Sequence, residues 1–288
     1  MTPLEFDQRI SKTGPLEIHR GNEQEGMNRR LMTTPCIELH EIHKTYLTAK
    51  GPLHALQDIT LSVAEGEFVS IVGQTGCGKS TLLKIISGIL KPSKGEISVR
   101  GKSVREAQVE HEFGFIFQDP VLLPWRDVLK NIRLPLEVIG YPEKDLERHC
   151  LEMLDFVGLR DFAAAKPWEL SGGMRQRVAI ARALGFDPST LLMDEPFSAL
   201  DEITRQNLHG DFLRLWGKGR KTVVFVTHSV AEAVFLSDRV VVMSPRPGRI
   251  RKEVDIHLPR PRTPEMTESR PYFDLLAEVR GHLVGELT

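Results

Sequence analysis

"FVSIVGQTGCGKSTLLKIISGIL", residues 68–90, passes from an unbroken apolar stretch through a glycine-rich turn into a second apolar run. Phe68 to Val72 has the composition of a strand buried on both faces, and Leu82 onward that of a helix packed behind it. Between them Gly73 to Thr81 matches G-x4-G-K-[ST], in the strand-to-helix context that this pattern requires. Glycines let backbone N–H groups turn inward around phosphate oxygens, so Gly73, Gln74, Thr75, Gly76, Cys77, Gly78 and Thr81 form the cradle. Lys79 supplies a point charge, and the Ser80 hydroxyl suits Mg²⁺. The chemistry asks nothing of a thiol at Cys77. The reading is a nucleotide triphosphate site with Mg²⁺.

Three more segments repeat the buried-strand composition: "TLLM" (190–193), "TVVFV" (222–226) and "RVVVM" (239–243). They predict a parallel sheet flanked by helices. "DITLSVA" (58–64) and "GEISVRG" (95–101) instead alternate, with Ile59, Leu61, Val63 and Ile97, Val99 on one face. That is the period of an antiparallel strand with one wet face. The fold class is therefore α/β, a parallel core with an antiparallel β subdomain beside it. From Arg126 to Leu184 the pattern is helical, and Leu146, Cys150, Met153, Leu154 and Val157 make one apolar face. After the Pro- and Gly-rich "SPRPGRI" (244–250) a last stripe, Phe273, Leu276, Val279 and Leu283, predicts a helix docked on the body or on a partner.

The 288 residues include 38 Lys and Arg against 39 Asp and Glu, a net charge of −1, so no single-sign field draws the chain onto nucleic acid. Cys36, Cys77 and Cys150 have neither paired nor metal-ligand spacing, which suits a reducing compartment. No eighteen-residue apolar window occurs and the N-terminus has no signal-like core, so the reading predicts no membrane crossing. Residues 1–35 lack periodicity and are expected to be a mobile extension.

"TLLMDEP" puts Asp194 and Glu195 at the end of a buried strand, where open α/β sheets hold their ligands. Adjacent carboxylates there also suit a solvated turn, but beside a phosphate loop their roles divide. Asp194 holds Mg²⁺ and Glu195 orients or deprotonates the attacking water. His228 closes "TVVFVTH" on the same edge, placed to contact the γ-phosphate and that water. Gln118 closes "FGFIFQ" likewise and is placed to sense Mg²⁺ or the water. "LSGGMRQR" (170–177) looks like half of a second phosphate site: Ser171, Gly172 and Gly173 open a helix, yet no lysine accompanies them.

The order of these motifs resolves the puzzle. Gly73–Thr81, Gln118, "LSGGM", "LLMDEP", "SALD" (198–201) and His228 resemble, over about residues 37–250, the ATP-binding subunits of ABC transporters. The counterparts are Walker A, Q-loop, signature motif, Walker B, D-loop and switch histidine. The resemblance implies an ABC nucleotide-binding domain over 36–255 with an inserted α-helical subdomain at about 119–185, and a tail, 256–288, with a short helix. It implies that Tyr46, in "IHKTY", stacks on adenine. It implies a head-to-tail dimer in which Ser171, Gly172 and Gly173 of one copy complete the γ-phosphate shell of the other, with Asp201 on the same seam. Lys79, Gln118, Glu195 and His228 are then the catalytic set, and Ser80, Gln118 and Asp194 the metal set. Met174 departs from the glutamine frequent at its position, so a side-chain hydrogen bond to the opposing nucleotide is not expected there.

Transporter subunits of this kind receive helices of an integral membrane permease near the Q-loop. Leu122, Leu123 and Trp125 in "DPVLLPWRDVLKNI" suit either such a docking surface or packing within the helical subdomain. "LLPW", "LSGGMRQRVAIARAL" and "VVVMSPRPGRI" resemble the importers of nitrate, taurine and aliphatic sulfonates, which work with a solute-binding protein. That implies a translocase ATPase on the cytoplasmic face of the cell membrane, with no nucleic-acid partner and no solute contact of its own. The alternative is a non-transport ABC ATPase. A DNA-repair type would need a long coiled coil between Thr81 and Leu170, where no heptads are sustained. A translation type would carry two cassettes. A P-loop kinase would leave "LSGGM" and Glu195 unexplained.

Overall fold

The computed structural model describes residues 35–219 and 221–284. The predicted mobile extension, 1–35, lies outside them except for Pro35. Two sheets form the frame. The smaller holds β1 (Pro35–Thr48), β2 (Gly51–Ala64), β4 (Lys94–Val99) and β5 (Lys102–Ser103) in the order β2-β1-β4-β5, all antiparallel. The larger orders β10 (Ile250–Asp255), β9 (Arg239–Met243), β3 (Phe68–Val72), β8 (Thr222–Val226), β7 (Thr190–Asp194) and β6 (Phe113–Ile116). It is parallel except for β10 on β9.

Every residue of β3, β7, β8 and β9 is buried, and the strand period sorts them onto two cores. Val69, Ile71, Val224, Val226 and Val241 face the antiparallel sheet, meeting Ile37, Ile59 and Val63. Helix α1 (Lys79–Ile86) lies in this same core through Leu82, Leu83, Ile85 and Ile86. Each such side chain, taken from water, contributes roughly 1.5–3 kcal/mol, so the helix behind the phosphate loop is fixed by both sheets. Phe68, Val72, Val223, Phe225, Val240 and Val242 face the opposite core. There they meet α6 (Glu202–Gly219), α7 (Val230–Leu236) and α8 (Arg270–Val284), while α2 (Val104–Val109) caps the antiparallel edge.

Helices α3 (Val128–Val138), α4 (Glu143–Phe156) and α5 (Gly172–Gly185) form a third layer with an apolar core of its own, built on Val128, Ile132, Leu146, Cys150, Leu154 and Val178. The C-terminal stripe docks on the body, with one correction. Leu276 and Val279 are buried and Leu283 packs beside them, but Phe273 is 56% exposed and Tyr272 takes its place. The spacing 272, 276, 279, 283 follows the helical period better than one starting at 273.

Candidate functional site

The phosphate loop is shaped by close approaches. Gly78, the cap residue of α1, has φ +109°, and a Cβ there would lie 2.6 Å from Leu56 Cδ2 and 3.0 Å from the Ala55 carbonyl. Only glycine meets both demands. Lys79 is buried, and its Nζ donates back across the loop to the carbonyls of Gly73 at 2.8 Å and Gln74 at 3.2 Å. Burial pushes the Cys77 thiol up despite the nearby Lys79 charge, consistent with an inert side chain.

One residue of this wall has no chemical motif around it. Gly248, in the β9–β10 turn, donates its N–H to the Ala55 carbonyl at 2.9 Å and accepts the Gln57 N–H at 3.0 Å. A Cβ on Gly248 would sit 2.1 Å from the Cys77 carbonyl oxygen. Turn, hairpin and phosphate loop therefore meet backbone to backbone. Gly248→Ala is expected to force them apart, destabilising the chain by about 1–3 kcal/mol and weakening ATP binding. Thermal denaturation and nucleotide titration check this, and unchanged values in both would count against the contact.

Opposite the loop, Ser80 Oγ donates to Asp194 Oδ1 at 2.9 Å. Burial raises the Asp194 carboxyl above its ordinary range, and the neighbouring Glu195 charge adds to this, while the Ser80 hydrogen bond opposes it. Glu195 leaves the end of β7 in the left-handed region, φ +45°, with its N–H held by the Val226 carbonyl at 2.9 Å. A non-glycine residue there costs roughly 1–3 kcal/mol, a strain that persists where the surroundings hold it and that clusters at functional sites. Glu195 Oε2 and His228 Nδ1 are 3.0 Å apart. Sequence position alone put both at strand ends, and the fold brings them into contact across the β7–β8 edge.

Tyr46 stands at the end of the phosphate loop, its hydroxyl 3.5 Å from Thr81 Oγ1, with Lys44 Nζ 5.3 Å from its ring centre. Gln118 is exposed, two residues past β6, whose Ile116 pairs with Met193. Ser171 caps α5, its hydroxyl accepting the Met174 N–H at 3.2 Å. Ser171 and Gly172 are exposed, whereas Gly173 abuts the D-loop: a Cβ there would lie 3.2 Å from Leu200 and 3.3 Å from the Ala199 carbonyl. Asp201 caps α6 by accepting the Thr204 N–H at 2.9 Å, which with the nearby charge of Arg177 lowers its carboxyl below the usual range. Met174 packs against the helical core.

The sequence reading missed the side chains that strap these loops together. Gln176 Nε2 donates to the Phe117 carbonyl at 3.1 Å, and Arg182 donates to the carbonyls of Val121 at 2.9 Å and Pro120 at 3.0 Å. The signature helix thus holds the chain on both sides of Gln118. Polar residues in an otherwise apolar helix, "QRVAIAR", were the available signal.

Strand, loop and helix in this order, with paired acid groups two strands away in the sheet and a histidine from the strand between against one of them, define a P-loop nucleotide hydrolase. Residues 56–198 match a family model described as ABC transporter. The match begins after Tyr46 and ends before His228. An uncharacterized ABC transporter ATP-binding protein of Methanocaldococcus jannaschii is 49% identical over 78% of this chain and 84% of its own. A taurine import ATP-binding protein of Rhizobium johnstonii is 46% identical over 72% of this chain and 79% of its own. A bicarbonate transport ATP-binding protein of Synechocystis is 39% identical over 84% and 87%. The solved dimer of the cassette MJ0796 bound to ADP and Pi superposes with a TM-score of 0.72 at 34% identity, covering 77% of this chain and 99% of that one. The chain belongs to the ABC transporter family, as its ATP-hydrolysing, ATP-binding subunit. This agrees with the fold class and the transporter reading given by the motifs. Among the described residues no helix is long and apolar enough to cross a membrane.

Proposed function

We propose that two copies of this chain close head to tail on two ATP molecules and power the uptake of a small anion or nutrient of the taurine, sulfonate, nitrate or bicarbonate kind. The observation that carries the hydrolytic part is the 3.0 Å contact of His228 with Glu195, beside the Ser80–Asp194 pair. Ser80 Oγ and Asp194 Oδ1 are hard oxygen donors close together, a pair that suits Mg²⁺, which takes few protein ligands and completes its shell with phosphates and water. Gln118 is the third oxygen donor we assign to that shell. Mg²⁺ bound there would neutralise charge on the β- and γ-phosphates. Lys79 holds the γ-phosphate, and backbone N–H groups from Gly73 to Thr81 cradle the rest. Glu195 takes a proton from the attacking water while His228 keeps its carboxylate in place. Tyr46 offers the base a ring, an interaction worth about 1–3 kcal/mol.

The head-to-tail pairing is supported by what lies open: Ser171, Gly172, Asp201 and the apolar Ile203, 74% exposed, all flank the contact between Gly173 and the D-loop. Ser171 and the N–H groups of Gly172 and Gly173 then reach the γ-phosphate of the opposite copy. We assign residues 36–255 to this ATPase unit and its helical layer to about 119–185.

A permease helix is the partner we assign to the open groove of about 450 Å³ between the body and the helical layer, lined by Ile89, Phe115, Pro135, Val138 and Phe186. Trp125 is 71% exposed and Leu122 packs on the helical core, which favours docking for the former and packing for the latter. Docking would hold the chain on the inner face of the membrane, with a solute-binding protein as an indirect partner. Trp125→Ala is expected to lose transport and permease binding while basal ATPase stays within about twofold, because surface substitutions away from a core change stability little. Co-purification from detergent-solubilised membranes is the test. A permease should come down with the native chain, and its absence would overturn the transport reading.

A further inference from the structure

His228 sits in a three-residue link between β8 and α7, and its side chain is 61% exposed. Its position therefore depends on what holds its neighbours. Both are tied to Glu232. The Thr227 hydroxyl donates to Glu232 Oε2 at 2.6 Å, and the Glu232 N–H donates to Ser229 Oγ at 3.3 Å. Thr227 Oγ1 also accepts the Ser229 N–H at 3.0 Å, closing the link on itself.

The other carboxylate oxygen faces a different element. Glu232 Oε1 lies 3.6 Å from His209 Nε2 and 3.9 Å from Arg205 Nε, both on α6. His209 is buried, with ring centres 4.7 Å from Phe197 and 6.3 Å from Phe235. The Arg205 guanidinium also pairs with Glu202 on the same helix, and its backbone N–H donates to the carbonyl of Asp201, where the D-loop ends. Burial pushes the Glu232 carboxyl up, but His209, the Thr227 hydroxyl and the charge of Arg205 pull it below the ordinary range, so it stays ionised. A side chain only 11% exposed keeps a charge where its partners offset the lost water. Aliphatic packing would join α6 to α7 without that demand, so the charge calls for a role.

We propose that Glu232 is a positioning residue for hydrolysis: it fixes His228 against Glu195 and, through Arg205 and His209, makes the switch loop move with the helix that Asp201 begins. The second half rests on the paired-copy reading, because pairing is what would displace the D-loop. The first half stands on the contacts within one chain. A single buried carboxylate on α7 that bonds the switch loop with one oxygen and faces α6 with the other is a physical link between the two.

The test is a steady-state series on the full chain. Glu232→Gln, nearly the same size, and Glu232→Ala are each expected to lower kcat by on the order of ten- to a hundredfold, with the ATP KM within about twofold. In a His228→Ala background the same substitutions should change kcat by less than about twofold, since nothing is left to position. Arg205→Ala and His209→Ala should lower kcat in the same direction and add nothing to Glu232→Ala. Melting temperatures within a few degrees of the native chain for Glu232→Gln identify the losses as catalytic. Equal losses with and without His228, or an unchanged kcat in Glu232→Ala, overturn the proposal. MgATP-driven dimerisation of Glu195→Gln reports separately: a monomer there overturns the pairing and the coupling to α6, while the kcat pattern still decides whether Glu232 positions His228.

Discussion

Glu195→Gln is expected to bind ATP as the native chain does and to hydrolyse it on the order of 10²- to 10⁴-fold more slowly. The loss corresponds to about 3–5.5 kcal/mol of transition-state stabilisation. Glutamine fits the same space and tolerates the same φ of +45° no worse than glutamate, so the β7 end and its bond to the Val226 carbonyl should survive. The amide still reaches His228 Nδ1, now 3.0 Å from the carboxylate, but it accepts no proton from water. With hydrolysis stalled, the proposed pairing predicts that ATP remains between two copies and holds them together. Phosphate release, nucleotide titration and light scattering with and without MgATP check the three parts. Turnover within tenfold of native would remove Glu195 from the role assigned to it.

Ser171→Arg should abolish hydrolysis while leaving ATP binding to its own phosphate loop intact. Ser171 caps α5 and is exposed, so arginine there need not disturb the chain that carries it, apart from a lost cap worth about 1 kcal/mol. Its bulk falls instead where the opposite nucleotide would lie. Lys79→Ala has the reverse defect, a damaged phosphate loop beside an intact signature. Neither alone should turn over ATP above background. Mixed, they form some dimers in which the loop of the first faces the signature of the second, and measurable activity should return. A mixture as dead as its components would show that each site lies within one chain.

The parallel core was legible because its strands are buried on both faces: "FVSIV", "TVVFV" and "RVVVM" coincide with β3, β8 and β9. The first strand of the other sheet was not. β1 runs fourteen residues, but its register shifts near Ile42 and Glu41 has φ 47°, so the alternation of Ile37 and Leu39 breaks and the period-2 signal disappears. Motif chemistry marked Lys79, Ser80, Asp194 and Glu195 because each demands a residue type at a fixed spacing. It could not mark Gly248, whose requirement is a neighbour 171 residues earlier, or Arg182, whose partners are carbonyls that no sequence spells out. Glu232 looked like an ordinary first-turn acid, and only the packing of α6 against α7 shows that its carboxylate faces α6 on one side and the switch loop on the other.

The helical layer keeps an apolar core separate from the two around the sheets. Stability is then divided, and the layer can loosen at less cost than global unfolding requires. Amide protons of α3 and α4 should exchange faster than those of β3 and β8, and the gap should narrow once a second copy and ATP clamp the layer down. If the copies open and shut as proposed, the compliance this needs is stored in the layer outside the phosphate loop.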